Sequence, residues 1–218
     1  SLNDREPTAV EEFFMSHPRT SERIKYVNEV ISKLPPEQSK GAQNQPEYRS
    51  KISDLIEAQK AYDRYDKGEI FRKKGNYNDA LYEYNKAIEL RKNIAKPYHG
   101  IGKVYHAQGK YNQAIDEYKK AISIDPEYVF AYNDIGISLI ATKQYNQSLD
   151  YLKKAIQIYE NYDDAWANLG EAYYYLKQYP ESVKSLEMAI TLNENHPRAY
   201  TTLGLAYEAS GNIEKAIE

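Results

Sequence analysis

Residues 102–136, GKVYHAQGKYNQAIDEYKKAISIDPEYVFAYNDIG, begin and end on glycine and contain one full period of an internal repeat. Glycine recurs every 34 residues, at Gly68, Gly102, Gly136, Gly170 and Gly204. Small residues keep this spacing at two other positions, and tyrosine keeps it at a third. The members are Ala80, Ala114, Ser148, Ser182 and Ala216; Ala87, Ala121, Ala155 and Ala189; and Tyr77, Tyr111, Tyr145 and Tyr179. Because all series share one register, the sequence predicts stacked repeats that bury their apolar faces against one another.

Apolar residues within each repeat follow helical spacing. With the glycine at position eight, the repeats run 61–94, 95–128, 129–162, 163–196 and 197–218. Large residues stand at positions four, seven and eleven, which lie on one stripe of a helix. They are Tyr98, Tyr132, Trp166 and Tyr200; Ile101, Ile135, Leu169 and Leu203; and Phe71, Tyr105, Leu139, Tyr173 and Tyr207. Each repeat is therefore predicted to contain two helices, A and B, and the glycine of helix A allows helix B to approach it closely.

The predicted turn between the two helices has its own signature. Gly75, Gly109 and Gly211 stand there, and glycine tolerates the left-handed backbone that ends many helices. Lys143 and Lys177 replace glycine in repeats three and four. With these turns, residues 61–218 closely resemble the tetratricopeptide repeat family. The resemblance implies an all-α fold, a right-handed superhelical solenoid of helix-turn-helix repeats, which binds peptide or protein partners in its concave groove.

The chain before the first repeat is predicted to contain a further helix. Residues 46–60 have a helical pattern, and no breaker lies between Glu47 and Gly68. This helix therefore either caps the array, assigned to residues 47–218, or continues into helix A of repeat one. Residues 35–46, PPEQSKGAQNQP, are polar and rich in breakers, and we expect a linker there.

Composition narrows the possible functions. The formal net charge of −3 argues against a general affinity for nucleic acid. The chain has no cysteine, which excludes disulfides and thiolate metal sites. No apolar run approaches the roughly 18 residues of a membrane span, so direct membrane insertion is not expected. Because the chain starts at Ser1 and stops at Glu218 inside a repeat, we expect an excised fragment whose truncated last repeat offers an edge for self-association.

Residues 1–34 do not follow the repeat. Two short helices are predicted there, so a short helical segment is expected before the array. The run FMSHPRTSERI, residues 14–24, resembles the closing motif of a zinc metallopeptidase family. This family includes the CAAX prenyl endopeptidases, the membrane heat-shock peptidase and periplasmic outer-membrane-assembly peptidases, and several periplasmic members continue into tetratricopeptide repeats. The resemblance implies that residues 1–34 are the C-terminal tail of a peptidase domain in a periplasmic or membrane-associated bacterial protein.

The same resemblance implies roles for two residues of this segment. The histidine that matches His17 approaches the catalytic zinc, and the arginine that matches Arg23 anchors the segment to the catalytic core. Hydrolysis also requires a helical H-E-x-x-H motif, which this chain lacks. His99 and His106 are about 10.5 Å apart along a helix and cannot share one metal ion. We therefore expect neither catalysis nor a cofactor in this fragment, with zinc confined to the parent peptidase. In the alternative interpretation, His17 ends a helix and the chain is a stand-alone scaffold or adaptor.

The tetratricopeptide resemblance implies that positions two, five, nine and twelve of each helix A line the concave groove. These residues are Tyr62, Tyr65, Glu69 and Arg72; Lys96, His99, Lys103 and His106; Phe130, Asn133, Ile137 and Ile140; Asp164, Ala167, Glu171 and Tyr174; and Arg198, Thr201, Leu205 and Glu208. The groove would be basic at repeat two, apolar at repeat three, and mixed with aromatic groups at repeat four. That surface suits a peptide or helix with an acidic and an aliphatic end. The alternative is a solvated face without a dedicated ligand.

One specialised form of this groove is disfavoured. Some tetratricopeptide domains grip chaperone carboxyl termini with a clamp of lysine, asparagine and arginine. Asn168 and Arg198 fit such a clamp and join the predicted binding residues. Asn133, Ile137 and Thr202 occupy places where the clamp requires lysine, asparagine and a basic residue, so a chaperone cofactor is not expected.

Overall fold

The computed structural model describes residues 46–212, and in this range helices alternate with short turns. The helices are α1 Pro46–Lys73, α2 Tyr77–Leu90, α3 Ala95–Ala107, α4 Tyr111–Ile124, α5 Val129–Ala141, α6 Tyr145–Ile158, α7 Asp163–Tyr175, α8 Tyr179–Leu192 and α9 Pro197–Ala209. Odd-numbered helices are the helices A of the repeats, and even-numbered ones are the helices B. The predicted all-α solenoid is confirmed. The peptidase-like tail 1–34, most of the linker, and helix B of repeat five from Ile213 lie outside the described residues.

The first helix joins the predicted upstream helix, residues 46–60, to helix A of repeat one without a break. Helix α1 is 28 residues long and runs from Pro46 to Lys73, whereas helix A of repeat two is 13 residues long. Proline suits the first position of a helix, and nothing in the sequence interrupts the helix before its end. Of the two arrangements left open by the sequence, the upstream segment therefore continues directly into helix A of repeat one.

The repeats stack so that their helices A form one layer. Helices α1, α3, α5 and α7 each pack against the helix B of their own repeat, and successive helices A pack against one another in the order α1, α3, α5, α7 and α9. Helix B fills the outer side of each pair. Because successive helices A approach one another directly, their common face is the inner, concave face of the solenoid.

The repeating glycine sets the distance between the two helices of a repeat. A Cβ atom on Gly68 would stand 2.5 Å from a ring carbon of Tyr84, and a Cβ atom on Gly136 would stand 2.5 Å from Cγ of Leu152. Tyr84 and Leu152 occupy the same place in helix B, and both are fully buried. The period in the sequence therefore records a close helix–helix contact that any side chain at position eight would open.

Left-handed residues end the helices A as the sequence predicts. Gly75, Gly109 and Gly211 have φ values of 78°, 73° and 82°. Lys143 and Lys177 adopt the same conformation, with φ values of 62° and 61°. At Lys143 the following N–H donates to the Leu139 carbonyl at 2.8 Å, and the Lys143 N–H donates to that of Ile140 at 2.9 Å. This pair of bonds is the Schellman cap, and here it forces two lysines into a conformation that favours glycine.

Position four of helix A meets position 23 of helix B, and the pair differs from repeat to repeat. In repeat one, Arg64 Nη1 donates to both carboxylate oxygens of Glu83 at 3.2 and 3.0 Å. In repeat three, the rings of Tyr132 and Tyr151 lie 6.5 Å apart. In repeat one, Arg64 therefore replaces the aromatic contact with an ion pair to Glu83, a residue that is 8% exposed.

Candidate functional site

The predicted groove residues differ in how accessible they are. Tyr62, Tyr65, Glu69, Arg72, Lys103, His106, Ile137, Ile140, Glu171 and Tyr174 are half-buried on the helices A. Lys96, Phe130, Asp164, Arg198, Thr201, Leu205 and Glu208 are exposed. His99, Asn133, Ala167 and Asn168 are buried. The buried polar residues of this set bond to neighbouring repeats, so they shape the groove from beneath its surface.

A pocket of about 260 Å³ opens on the concave side of repeats one to three. It is lined by Arg72 of α1, Lys103, His106 and Ala107 of α3, Tyr118 of α4, and Asp134 and Ile137 of α5. The structure thus brings together three of the predicted basic groove residues and one predicted apolar residue. The pocket combines cations, a carboxylate and an apolar wall within one small volume.

The wall from repeat one is a closed hydrogen-bond network. Arg72 donates through Nε and Nη2 to the two carboxylate oxygens of Glu69, at 3.0 and 2.8 Å. The Tyr84 hydroxyl donates to the same carboxylate at 2.5 Å. Burial works against the charged form of Glu69, but the hydrogen bonds from Arg72 and Tyr84 prevail and lower its pKa to about 2. The guanidinium of Arg72 is therefore held in one orientation, with part of its donor set already used.

Lys103 is the cation of this pocket that remains available. Its charge helps to lower the pKa of Glu69. Within residues 46–212, its ammonium group forms neither a hydrogen bond nor an ion pair at contact distance. The half-buried position reduces its contact with water, which strengthens its attraction for a negative group entering the pocket.

His106 contributes a neutral hydrogen-bonding group. Ser138 Oγ donates to the Asp134 carbonyl at 2.8 Å, so it accepts the bond from His106 Nδ1 at 2.9 Å. This assigns the proton to Nδ1 and leaves Nε2 with a lone pair. Burial lowers the pKa of His106, and the charge of Asp134 opposes that shift. An acidic ligand beside the ring would favour its protonation.

Beside the pocket, hydrogen bonds connect a tyrosine, a histidine and a carboxylate one after another. His99 Nε2 is 2.8 Å from Asp134 Oδ2, and the Tyr128 hydroxyl is 3.3 Å from His99 Nδ1. The order resembles a nucleophile–base–acid arrangement, but burial raises the pKa of Tyr128 and keeps its hydroxyl protonated. An activated nucleophile needs the opposite shift. These hydrogen bonds instead hold repeat two against repeat three.

A second polar chain links repeats three, four and five. Asn168 Nδ2 donates to Asn133 Oδ1 at 2.7 Å, and Arg198 Nη2 donates to Asn168 Oδ1 at 2.6 Å. The two residues that matched the chaperone clamp are therefore in contact with each other. Asn168 is fully buried, so this chain satisfies polar atoms that water cannot reach.

Four residues in or beside the pocket were not predicted from the sequence. They are Asp134, Ala107, Tyr118 and Tyr128, at positions six, thirteen, twenty-four and thirty-four, which lie outside the positions used to predict the groove. Tyr118 had a signal in the sequence, because it shares its place with Tyr84 opposite the repeating glycine. Asp134 and Tyr128 each recur in one other repeat, as Asp66 and Tyr162, but the rule for groove positions does not include positions six and thirty-four.

Residues 46–212 contain neither a candidate metal site nor a candidate membrane span. In residues 46–212, no three His, Asp or Glu side chains come close enough to hold a metal ion. No helix in the same range is long and apolar enough to cross a membrane. His17 and Arg23 lie outside the range.

Comparison with protein families gives a repeat match over more than half of the chain. A model described as TPR repeat matches residues 68–109, 102–142 and 170–211. A second, described as tetratricopeptide repeat, matches residues 131–161. Comparison with curated proteins gives no match.

Solved structures of the same architecture are numerous. MamA is 28% identical over 73% of this chain and 87% of its own, with a TM-score of 0.63. YrrB, described as a TPR protein with an unusual peptide-binding site, is 25% identical over 78% of this chain and 86% of its own, with a TM-score of 0.59. The pilF protein of Pseudomonas aeruginosa is 21% identical over 74% of this chain and 73% of its own, with a TM-score of 0.69, and shows the fold alone.

Proposed function

Because the chain belongs to the tetratricopeptide repeat family, we propose that its concave face binds an extended segment of a partner protein at repeats one to three. Proteins of this family are interaction modules for peptides and proteins. The pocket between Arg72, Lys103 and His106 carries the proposal, because it combines an available cation with an apolar wall. In this proposal, the pocket receives an acidic group of the partner.

The cations of the pocket, Lys103 and Arg72, favour a carboxylate, although Asp134 also belongs to the lining. Lys103 supplies an ammonium group without a contact partner, and Arg72 keeps donors that Glu69 does not occupy. His106 donates as well once an entering carboxylate favours its protonation. Ile137 lines the same pocket and lies one turn from Ile140 on α5. An acidic residue followed by an aliphatic residue would therefore pair with Lys103 and cover this apolar strip.

Selection of peptides on the purified protein tests this function. A library of random twelve-residue peptides should yield sequences in which an acidic residue is followed by an aliphatic one. Calorimetric titration should then show that Lys103→Glu lowers the affinity by at least about tenfold, since the variant places like charges together. Lys119→Glu on α4 makes the same change in net charge at an exposed site outside the pocket and should leave the affinity unchanged.

Two results would contradict the proposal. Selected peptides that bind wild type and Lys103→Glu equally well would place the binding site elsewhere. Failure to select any peptide that competes with a partner of the intact protein would favour the solvated face without a dedicated ligand.

The finer proposal concerns the protein to which this module belongs. Residues 14–24 are similar to the end of a zinc peptidase domain. This similarity supports the proposal that the array, residues 47–218, recruits substrates for a peptidase to which a linker at residues 35–46 connects it. Tethering raises the local concentration of a bound substrate, so even weak binding by the groove would favour cleavage. A stand-alone scaffold is the alternative.

Activity of the intact natural protein distinguishes these two. A peptidase arm predicts zinc-dependent cleavage that is slowed by deletion of residues 47–218 but retained for short substrates. Absence of bound zinc and of peptidase activity in the intact protein would leave the scaffold. Either result is compatible with peptide binding by the groove, so this test does not affect the first proposal.

A further inference from the structure

A second cavity lies on the outer side of the solenoid, away from the groove. It has a volume of about 320 Å³ and is formed between α6, α7 and α8. Trp166 and Leu169 of α7, Ile156 of α6 and Tyr173 of α7 contribute apolar surface, and Ser185 of α8 lies on its far side. The volume is near the lower limit of roughly 300 Å³ for small-ligand pockets, so it suits one large side chain.

The cavity lies where repeat four differs from repeat three. In repeat three, Tyr132 at position four and Tyr151 at position 23 fill the space between helix A and helix B with two rings. Repeat four has Trp166 and Ser185 at these positions. The small serine leaves open the volume that a tyrosine ring occupies one repeat earlier. The indole of Trp166 is half-buried.

The indole N–H and the serine hydroxyl of this cleft already have hydrogen-bond partners. Trp166 Nε1 donates to the Glu160 carbonyl at 2.8 Å. Ser185 Oγ donates to the Glu181 carbonyl at 2.8 Å. An entering side chain therefore meets apolar surface that has no unmet hydrogen bonds, and burial of an aromatic or large aliphatic group there is favourable.

Charged residues at the edge of the cleft determine which residues of a partner would fit next to the entering side chain. The Lys153 ammonium lies 5.7 Å from the centre of the Tyr173 ring, and Lys184 lines the opposite side. Both lysines are exposed, and Glu181 is the carboxylate that lines the cleft with them. The rim therefore carries a net positive charge and complements carboxylates in a partner.

We infer that this cleft binds a single aromatic or large aliphatic side chain of a partner protein, flanked by acidic residues that pair with Lys153 and Lys184. The site lies on the opposite side of the helices from the groove and extends the partner-binding surface of the module. An anchoring side chain in a pocket with a charged rim is the usual form of a strong contact between proteins.

Trp166 provides the test, because it is the only tryptophan of the chain. The capped peptide Gly-Asp-Phe-Asp-Gly is titrated into the full chain while indole emission is recorded. Entry of the phenylalanine should exclude water and give a saturable blue shift. Peptides with alanine for phenylalanine, or with lysine for aspartate, should bind at least about tenfold more weakly.

Two variants make the result specific to the cleft. Ser185→Tyr restores the tyrosine of repeat three and should abolish binding while the protein remains folded. Lys153→Glu with Lys184→Glu should reverse the preference, so that Gly-Lys-Phe-Lys-Gly binds more tightly than the acidic peptide, as measured by calorimetry. Lys103→Glu should change neither the affinity for the acidic peptide nor the preference for it over the basic peptide. Absence of a saturable shift up to about 10 mM peptide, or equal binding to wild type and Ser185→Tyr, would overturn the inference whatever the groove binds.

Discussion

Alanine in place of Gly136 should destabilise the protein, although alanine favours helices. A Cβ atom on Gly136 would stand 2.5 Å from Cγ and 2.6 Å from Cδ2 of Leu152. Leu152 is fully buried. Because the atom met first is the branch point of its side chain, Leu152 cannot simply rotate into solvent. The added methyl group must therefore move α5 and α6 apart.

The magnitude follows from two opposing effects. Overpacking of a core costs about 1–3 kcal/mol, and contact with a branch point places this case in the upper half of that range. The exchange of glycine for alanine inside a helix contributes about 1 kcal/mol in the opposite direction. The expected net loss of unfolding free energy is about 1–2 kcal/mol, which corresponds to a fall in Tm of roughly 2–8 °C in a chain of this size.

A double-mutant cycle separates packing from helix propensity. Urea denaturation is followed by circular dichroism for wild type, Gly136→Ala, Leu152→Ala and the double variant. Leu152→Ala alone should cost about 2–5 kcal/mol, because it leaves a cavity. In the double variant the new methyl group enters that cavity, so the two losses should be less than additive by about 1 kcal/mol.

The reasoning fails if Gly136→Ala stabilises the protein by the amount expected for an exposed helical glycine. It also fails if the double variant is strictly additive, because the two side chains would then not share the space. Gly170→Ala is the matched comparison, since a Cβ atom there would stand 2.5 Å from Cγ of Leu186.

Four further substitutions probe the caps and the polar networks by the same denaturation assay. Lys143→Gly and Lys177→Gly should each stabilise by about 0.5–1 kcal/mol, because glycine adopts a positive φ without strain; a loss would contradict this. Glu69 has a pKa of about 2 in the folded protein, so its charged form stabilises folding above its usual pKa of 4.5. That contribution should fade as the pH falls towards 2, and Glu69→Gln should remove this dependence. Asn168→Ala should cost about 1–3 kcal/mol, because it leaves the buried Asn133 without its donor; an unchanged midpoint would refute the network.

The fold could be predicted because one contact is repeated. The same helix pair is built four times in residues 46–212, so the glycine that permits it returns at a fixed interval and outweighs local exceptions. The lysines at positions 143 and 177 show how firmly this holds. Packing on both sides fixes the turn, and the backbone adopts a left-handed conformation without glycine.

The site was less predictable because it depends on differences between neighbouring repeats. The rule for groove positions finds Lys103 and His106, but it cannot tell that His99 is covered by Tyr118 and Tyr128. It also cannot anticipate Asp134, which binds His99 across a repeat boundary. Such pairs leave no periodic trace. The outer cleft arises in the same way, from one small residue where the preceding repeat has a ring.

The two candidate sites can be perturbed separately because they share no helix. The groove pocket is lined from α1, α3, α4 and α5, and the outer cleft is lined from α6, α7 and α8. In a solenoid each repeat contacts its neighbours, so local changes add rather than spread through the array. A partner that occupies both sites should lose affinity with Lys103→Glu and with Ser185→Tyr, and the double variant should lose the product of the two factors. Two separate partners would each respond to one variant alone, and comparison of the single variants with the double variant therefore distinguishes one extended interface from two independent ones.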